Sequence, residues 1–502
     1  MRYNKNIEGF LIFATCIVLA MFYSCRSEVQ SIDKNVLFIL VDDLGWSDLE
    51  CYGSNFHETP NIDRLAKEGV MFTNAYAAAS VCSPTRASIM TGKNPARLRI
   101  TDWIPGRQAN KNPNAHQFEK LVSIPFQQFL PLSENTIAET LKKAGYQTFF
   151  AGKWHLGDDQ KYWPENQGFD TNIGGWGMGY PKSFFSPFEN PALKDVNEGE
   201  YLTDRLTNET INFIKNRENR RPFFAFLSFY AVHNPMQAKK EWLEKYSIKA
   251  KNMALVYEES FGIDSSWDKQ SIQGWNLKLR KVQSNPKYAA MLETVDQNIG
   301  MLIQTLKDEG LYDNTLIIFT SDNGGLSTAE GSNTSNLPLK AGKGWLYEGG
   351  IRVPAIIYHP GSPISGKTSE VPITSMDFYP TILEYAGIDF EAGQRFDGKS
   401  IFPLLNGSGE ESDFSDRPLF WHYPHYSNQG PQIGSVVLKN GFKLIEDMES
   451  GKVCLYDLSK DLGEVNDISA LKPGKTNELM EILNHWRDSL AVDMPIAVVE
   501  KN

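Results

Sequence analysis

Six short stretches of this chain carry side chains able to hold a cation, bind an anion or move a proton. They are Asp42-Asp43, the run Val81-Cys82-Ser83-Pro84-Thr85-Arg86, Gly152-Lys153-Trp154-His155-Leu156-Gly157, His233, Ser321-Asp322-Asn323-Gly324-Gly325, and Lys343 between Gly342 and Gly344. Adjacent carboxylates repel unless a cation lies between them, so Asp42 and Asp43 suit a hard metal such as calcium. Asp322 and Asn323 can complete its oxygen cage. The plain alternative is a solvated acidic turn. In the Cys82 stretch, Pro84 can sit at the first position of a helix, Ser83 can cap its amides and Gly92 can close its last turn. Cys82 is then expected at a helix N-terminus, where anions bind, unless it is simply a buried structural cysteine. Lys153 and His155, two apart in an extended segment, are expected to point the same way, a cation and an imidazole suited to an anion. His233 is a titratable group immediately after an apolar run, and a single histidine there can equally be structural. Lys343, between two glycines, is a candidate anion ligand, whereas nearby Lys340 reads as solvated.

The elements expected around these stretches explain how they could meet. Asn35–Val41, Pro222–Tyr230 and Asn314–Thr320 are runs apolar on both faces, which predicts strands buried between helices in a mainly parallel sheet. Val70–Ala75, Tyr146–Ala151 and Val353–Tyr358 add further strands. In open α/β sheets ligands bind beyond the carboxyl ends of the strands, which is where most of the polar residues above fall. A helix is expected from Thr59-Pro60, with Thr59 as its cap, to Gly69; others cover Asn135–Gly145 and Tyr201–Ile214. Ala289–Asp308 carries the apolar stripe Leu292, Val295, Ile299, Leu302, Ile303 and Leu306 of a core helix. Gly168–Pro191, rich in glycine, proline and aromatics, predicts an irregular loop at a substrate rim. Residues 236–286 read as irregular. Polarity rises through residues 407–417, and beyond them come short strands at Ser435–Leu438, Phe442–Ile445 and Cys454–Asp457 and a last helix near Thr476–Leu490.

With 502 residues and 41% hydrophobic content, the chain can build a large core. Its net charge of −11 is dispersed, which excludes a nucleic-acid surface and leaves an anionic substrate in need of a locally basic pocket. Arg2 and Lys5 precede the apolar run Phe10–Tyr23, too short to span a membrane comfortably, so residues 1–24 read as a signal peptide. The segment ends at Ser24-Cys25, which resembles a bacterial lipobox with Cys25 as the lipidated residue. Export to the periplasm or the outer membrane is the expected destination, with membrane contact only through the lipid. Of the 5 cysteines, Cys16 leaves with the signal, and an acylated Cys25 leaves Cys51, Cys82 and Cys454, too few for a disulfide framework.

Taken in order across residues 35 to about 400, Val41-Asp42-Asp43, Cys82-Ser83-Pro84-Thr85-Arg86 with Thr91-Gly92, the Gly152–Gly157 motif, Ser321-Asp322-Asn323-Gly324-Gly325 and Gly342-Lys343-Gly344 with Tyr347-Glu348-Gly349-Gly350-Ile351-Arg352-Val353-Pro354 resemble the type I sulfatases of the alkaline-phosphatase superfamily. The resemblance implies an α/β fold, a large mixed sheet sandwiched by helices, with a smaller C-terminal α+β subdomain carrying a short antiparallel sheet. The catalytic domain would span residues 31–405 and the C-terminal subdomain 406–502.

The same resemblance implies that Cys82 is converted to formylglycine by a maturation enzyme and that Asp42, Asp43, Asp322 and Asn323 bind one Ca2+. Arg86 would hold the formylglycine hydroxyl, while Lys153 and Lys343 would clamp the sulfate oxygens. His233 would protonate the leaving alkoxide, and His155 would take the proton when sulfate is expelled. These roles answer the two difficulties of a sulfate ester, charged oxygens and a poor leaving group. The segment Tyr180–Arg205 is similar to one in sulfatases acting on galactose or N-acetylgalactosamine, so an exo-acting glycan sulfatase, with 4-O-sulfate as the target, is expected. Trp103, Arg107, His116, Trp176, His422 and His425 are expected to line the sugar pocket. Two rival readings stay open: a phosphonate or phosphodiester hydrolase of the same superfamily, and a non-catalytic glycan-binding lipoprotein.

Overall fold

The computed structural model describes residues 34–106, 120–218, 221–256, 258–262, 278–390, 393–430 and 432–498. Residues 1–24, read above as a signal peptide, together with Cys25, Arg107 and His116 therefore lie outside the described residues. Thirteen strands and nine helices suffice to place the site. The strands of the main sheet are β1 (Asn35–Val41), β2 (Val70–Tyr76), β3 (Gln147–Gly152), β4 (Thr171–Ile173), β5 (Phe223–Ser228), β6 (Thr315–Ser321), β7 (Arg352–Tyr358), β8 (Thr368–Ser369) and β9 (Ile373–Thr374). Their order is β8-β2-β7-β6-β1-β5-β3-β4, with β9 also on β2. Four small-sheet strands, β10 (Leu419–Tyr423), β11 (Gly434–Lys439), β12 (Phe442–Asp447) and β13 (Val453–Asp457), form an antiparallel meander. The helices are α1 (Pro60–Glu68), α2 (Cys82–Thr91), α3 (Ile137–Lys143), α4 (Leu202–Asn216), α5 (Lys240–Asn252), α6 (Pro286–Asp308), α7 (Glu348–Ile351), α8 (Phe378–Ala386) and α9 (Pro473–Leu490). This is the expected mixed α/β architecture with a separate small antiparallel sheet. Among the described residues no helix is long and apolar enough to cross a membrane.

The strand β1 shows why this sequence makes a two-sided sheet. Val36, Phe38 and Leu40 pack with residues of α2, α3 and α8, while Leu37, Ile39 and Val41 pack with residues of α1, α4 and α6. Each fully buried Leu, Ile or Phe contributes about 1.5–3 kcal/mol, so a run apolar at every position is stable only with helices on both faces. The strands β3, β5, β1 and β6 are parallel to their neighbours in this set, and β7 is antiparallel to both β6 and β2. The carboxyl ends of β1, β2, β3, β5 and β6 thus share one edge with the amino end of β7.

Several local expectations are corrected. Residues 236–286 are not all irregular: α5 packs against α6 through Tyr246 and Ala250, with Trp242 and Leu243 beside them. Its apolar positions recur at helical spacing but are diluted by lysines, which hid the period. Thr59 does not cap α1 with its side chain. Its hydroxyl instead donates to Asp63 at 3.0 Å and accepts from the Glu50 amide at 3.0 Å. The first amides of α1, on Asn61 and Ile62, are taken at 2.9 and 2.8 Å by Asp296 of α6. A tertiary carboxylate does what the local hydroxyl was expected to do. The strand β10 was also absent from the expected set, its polar and aromatic residues giving no clean alternation.

Candidate active site

Every residue expected to ligate the metal or take part in the chemistry sits at or beside the shared sheet edge. Val41 ends β1 and hands the chain to Asp42 and Asp43; Ser321 ends β6 before Asp322 and Asn323; Gly152 ends β3 before Lys153. His233 follows β5, and Lys343 precedes α7 and β7. Cys82 is the first residue of α2 and Arg86 lies one turn later, so both project from the same helix face. The helix closes as expected at Gly92, in the left-handed region at φ 67°. Its start differs from expectation: Val81 is the N-cap, Pro84 is the third residue, and the Ser83 hydroxyl caps nothing but accepts from the Ile104 amide at 3.0 Å. Ser83 ties the nucleophile's helix to the 101–106 loop.

Three carboxylates and three cations interlock here with almost no exposure. Lys153 Nζ donates to both oxygens of Asp42, at 2.9 and 2.8 Å. Lys343 Nζ lies 2.7 Å from Asp43 Oδ1 and donates to Oδ2 at 2.9 Å. Arg86 pairs with Asp322 through Nε at 2.9 Å and through its terminal nitrogen at 2.7 Å, with Asp42 3.6 Å away. Its other nitrogen donates at 2.7 Å both to the Lys153 carbonyl and to Ser228 Oγ. Ser228, the last residue of β5, was missed in the sequence; a lone serine inside an otherwise apolar run is the signal that marks it. Asp43 adopts φ 59°, a left-handed conformation, and is held there by its amide on Asp322 Oδ1 and by Asn323 Nδ2 donating to its Oδ1 at 2.8 Å.

Burial raises Asp42 well above the usual carboxylate range, the nearby acids add to this, and Lys153 works against it. Burial acts the same way on Asp43, but the Lys343 ammonium and the cations behind it outweigh it and hold Asp43 below that range. Burial pushes the Cys82 thiol up to about 12 despite Lys153 and Lys343, so an unmodified thiol here stays protonated at neutral pH.

The donor set fits a hard cation. The oxygens of Asp42, Asp43 and Cys82's sulfur lie within 4.8 Å of one another. Asn323 Oδ1 is buried beside the three carboxylates and has no hydrogen-bond partner among the described residues. An orphaned amide oxygen with carboxylate oxygens is what calcium takes. The six side-chain charges cancel, so a divalent ion would leave the pocket positive and ready for an anion.

The two histidines differ. His233 donates from Nδ1 to the Asn234 carbonyl at 2.9 Å, which turns Nε2 toward Asp43 Oδ2 at 3.7 Å. Burial and the Lys343 ammonium lower it to about 3. His155 is not in an extended segment with Lys153. Its φ of 59° breaks the extended alternation, its Nε2 contacts the Ile104 carbonyl, and its Nδ1 is buried with no partner among the described residues. Burial, then Lys153, holds it well below the usual imidazole range.

At the rim, Trp176 is half-buried and its carbonyl accepts from the His155 amide at 3.1 Å. The exposed Tyr180 ring lies parallel to His233, centroids 6.4 Å apart. The Gly168–Pro191 loop therefore does reach the site. His422 and His425, expected in the sugar pocket, are instead buried: His422 binds Ser435 and the Asp493 carbonyl, and His425 binds Thr101 at 2.7 Å. Both His422 ring nitrogens and His425 Nε2 are taken by internal polar groups. Trp103 packs against the small sheet. Lys340 is not solvated but buried, its ammonium on the Glu464 carbonyl at 3.1 Å.

The profile of the family described as Sulfatase matches residues 34–388, and one described as N-sulphoglucosamine sulphohydrolase, C-terminal, matches residues 341–489. The chain is 31% identical over 411 residues to N-acetylgalactosamine-6-sulfatase of Homo sapiens, covering 77% of this chain and 68% of that one. It is 31% identical over 545 residues to a sulfatase of Formosa agariphila, covering 94% and 91%. Among solved structures it is similar to Ps i-CgsB in complex with k-i-k-neocarrahexaose, with TM-score 0.70, 29% identity and coverage of 90% and 92%. It is also similar to a protein solved in complex with its substrate D-glucosamine-2-N,6-O-disulfate, with TM-score 0.65, 26% identity and coverage of 93% and 100%.

Proposed function

The chain belongs to the sulfatase family and is a sulfuric ester hydrolase acting on carbohydrate sulfates, and on that premise we propose that it works through a formylglycine at Cys82 and one calcium ion held by Asp42, Asp43, Asp322 and Asn323. The observation that carries this reading is the meeting of Cys82 with three carboxylates, three cations and an orphaned amide oxygen at one sheet edge. Hydrated, a formylglycine supplies one hydroxyl to attack sulfur and a second whose deprotonation expels sulfate. Calcium, when bound, supplies positive charge beside the sulfate oxygens.

The chain's own residues divide the remaining work. Arg86, one turn along α2 from Cys82, orients the nucleophile's hydroxyl while anchoring Asp322. Lys153 and Lys343 shift from their carboxylates toward the sulfate oxygens, neutralising the charge that grows there as the ester bond breaks. His233 presents Nε2 to the site because its Nδ1 is committed to the Asn234 carbonyl. The ester's negative charge opposes the influence of Lys343 and lets His233 carry the proton that the leaving alkoxide needs. His155, with a buried unpartnered Nδ1, takes the proton when sulfate leaves.

The substrate we propose is a galactose or N-acetylgalactosamine sulfate at a chain end, 4-O-sulfate first. Relatives named N-acetylgalactosamine-6-sulfatase support the sugar class and make 6-O-sulfate the first competitor, and a neighbour solved in complex with k-i-k-neocarrahexaose supports a glycan substrate. The apolar segment ending at Cys25 supports export as a periplasmic or outer-membrane lipoprotein. A catalytic part within 31–405 and a C-terminal part within 406–502 agree with the division between the two sheets.

The test is peptide mass spectrometry of the Cys82 peptide from protein made with a maturation enzyme, followed by a panel of sulfated sugars. Conversion lowers the residue mass by about 18 Da. A persistent thiol in active protein overturns the mechanism, and faster turnover of phosphonate esters than of any sulfated sugar overturns the substrate class.

A further inference from the structure

The loop that presents Lys343 is fastened at both ends to one residue of the C-terminal part of the chain. At its start Lys340 donates to the backbone carbonyl of Glu464 at 3.1 Å. At its end the Glu348 amide donates to Glu464 Oε2 at 2.6 Å. The neck is closed by the Gly349 amide on the Lys340 carbonyl at 2.9 Å. Behind Glu464 stands Lys443 of β12, whose ammonium bridges Glu464 Oε1 at 2.8 Å and Glu348 Oε1 at 2.9 Å. The other Glu348 oxygen accepts from Tyr76 at 3.0 Å and pairs with Arg352 at 3.2 Å. Glu348, Lys443 and Glu464 are all fully buried.

Such a cluster is a poor way to obtain stability alone. Each buried ion costs several kcal/mol of lost hydration, and well-packed apolar residues often replace such a set with no loss. What apolar residues cannot do is hold a backbone amide and a lysine ammonium at fixed points. Gly342 and Gly344 flank Lys343, Gly344 adopting φ 84°; the Lys343 amide donates to the Gly325 carbonyl at 3.1 Å and the Gly344 amide to the Ser80 carbonyl at 2.8 Å, so the tip is held by its own backbone and the Glu464 contacts act on the two ends of the loop.

We propose that Glu464, backed by Lys443, is a positioning residue for sulfate hydrolysis: it clamps both ends of the 340–348 loop and so sets where the Lys343 ammonium stands relative to Asp43. The proposal rests on the reading that Lys343 binds the sulfate oxygens. It couples the small antiparallel sheet to the catalytic edge of the large one and makes the C-terminal part a component of the active site.

The test uses the full matured enzyme with calcium and inorganic sulfate as the probe, an inhibitor that reports anion affinity without turnover. Glu464→Ala is expected to weaken sulfate inhibition and kcat/KM each by about tenfold, with the calcium midpoint unchanged. Glu464→Gln, which retains an acceptor for the Glu348 amide, is expected to recover most of both. Lys340→Met, which frees the other end of the loop, is expected to weaken sulfate by several-fold and keeps the test decisive if Glu464→Ala does not fold. If the folded variants lose melting temperature but keep wild-type sulfate affinity and kcat/KM, Glu464 is structural only and the proposal fails. Lys343→Ala is the control: if it leaves sulfate affinity intact, the reading of Lys343 fails, whereas a loss in Lys343→Ala with none in the Glu464 and Lys340 variants refutes the clamp alone.

Discussion

Lys153→Met should destabilise the protein strongly without calcium and weakly with it. Among the described residues the Asp42 carboxylate has two hydrogen bonds, both from the Lys153 ammonium at 2.9 and 2.8 Å, and the next cation, Arg86, is 3.6 Å away and committed to Asp322. Asp42 and the Lys153 side chain have no solvent exposure. Removing one partner of such a pair leaves a buried charge uncompensated, a cost of about 3–5 kcal/mol. Methionine keeps most of the stem's packing, so little of the loss is cavity. If Asp42 is a calcium ligand, saturating calcium replaces the missing cation and the cost should fall by more than half. The assay is urea unfolding of wild type and variant in chelator and in millimolar calcium, read as four free energies whose cross-difference isolates the coupling. The pH dependence gives a second check. Asp42 is raised in the fold, so its protonated form is the favoured one, and the calcium-free variant should lose stability as pH rises above the usual carboxylate range. Equal costs with and without calcium would refute the assignment of Asp42 as a ligand.

Gly152→Ala places a Cβ 1.8 Å from the Ser228 carbonyl oxygen at φ 106°, and should cost more than about 4 kcal/mol in urea unfolding because β5 cannot retreat from the sheet. Gly53→Ala has the same φ of 106° with nothing within 4 Å, and should lose only the backbone strain of about 1–2 kcal/mol. Burial lowers His57 to about 4 from 6.5. The unfolded chain then takes a proton that the fold refuses, and stability should fall by about 2 kcal/mol from pH 7 to pH 5. His57→Gln should flatten that slope in urea midpoints measured at the two pH values. Tyr180→Ala removes the exposed ring beside His233 and should raise KM for sugar sulfates about five- to tenfold, with little change for a small aryl sulfate that never reaches the rim.

Much of the site was legible because short motifs carry their own chemistry. Asp42-Asp43 after an unbroken apolar strand, Asp322-Asn323 after another, and Cys82 four residues before Arg86 all stand where expected. What failed were inferences from local pattern about side-chain partners. Thr59 and Ser83 are good capping residues, but Asp296 and the Ile104 amide reached those groups first. Lys340 looked solvated because lysine usually is, and His422 and His425 looked like pocket residues because exposed histidines often are. Each is buried by an element more than 70 residues away along the chain. The dilution of α5 by lysines concealed its apolar face until α6 supplied the partner.

The chain's residue order by itself determined the strands, since only a two-sided core stabilises runs like Asn35–Val41. It also determined the chemistry available at their ends, since carboxylates, ammoniums, imidazoles and a helix-start cysteine are properties of the residues. Tertiary structure alone decided which charges cancel and how firmly each is held. Electrostatic partners are set by distances of a few ångströms between segments as far apart as Asp43 and Lys343, or Glu348 and Glu464, and spacing along a chain does not encode those distances.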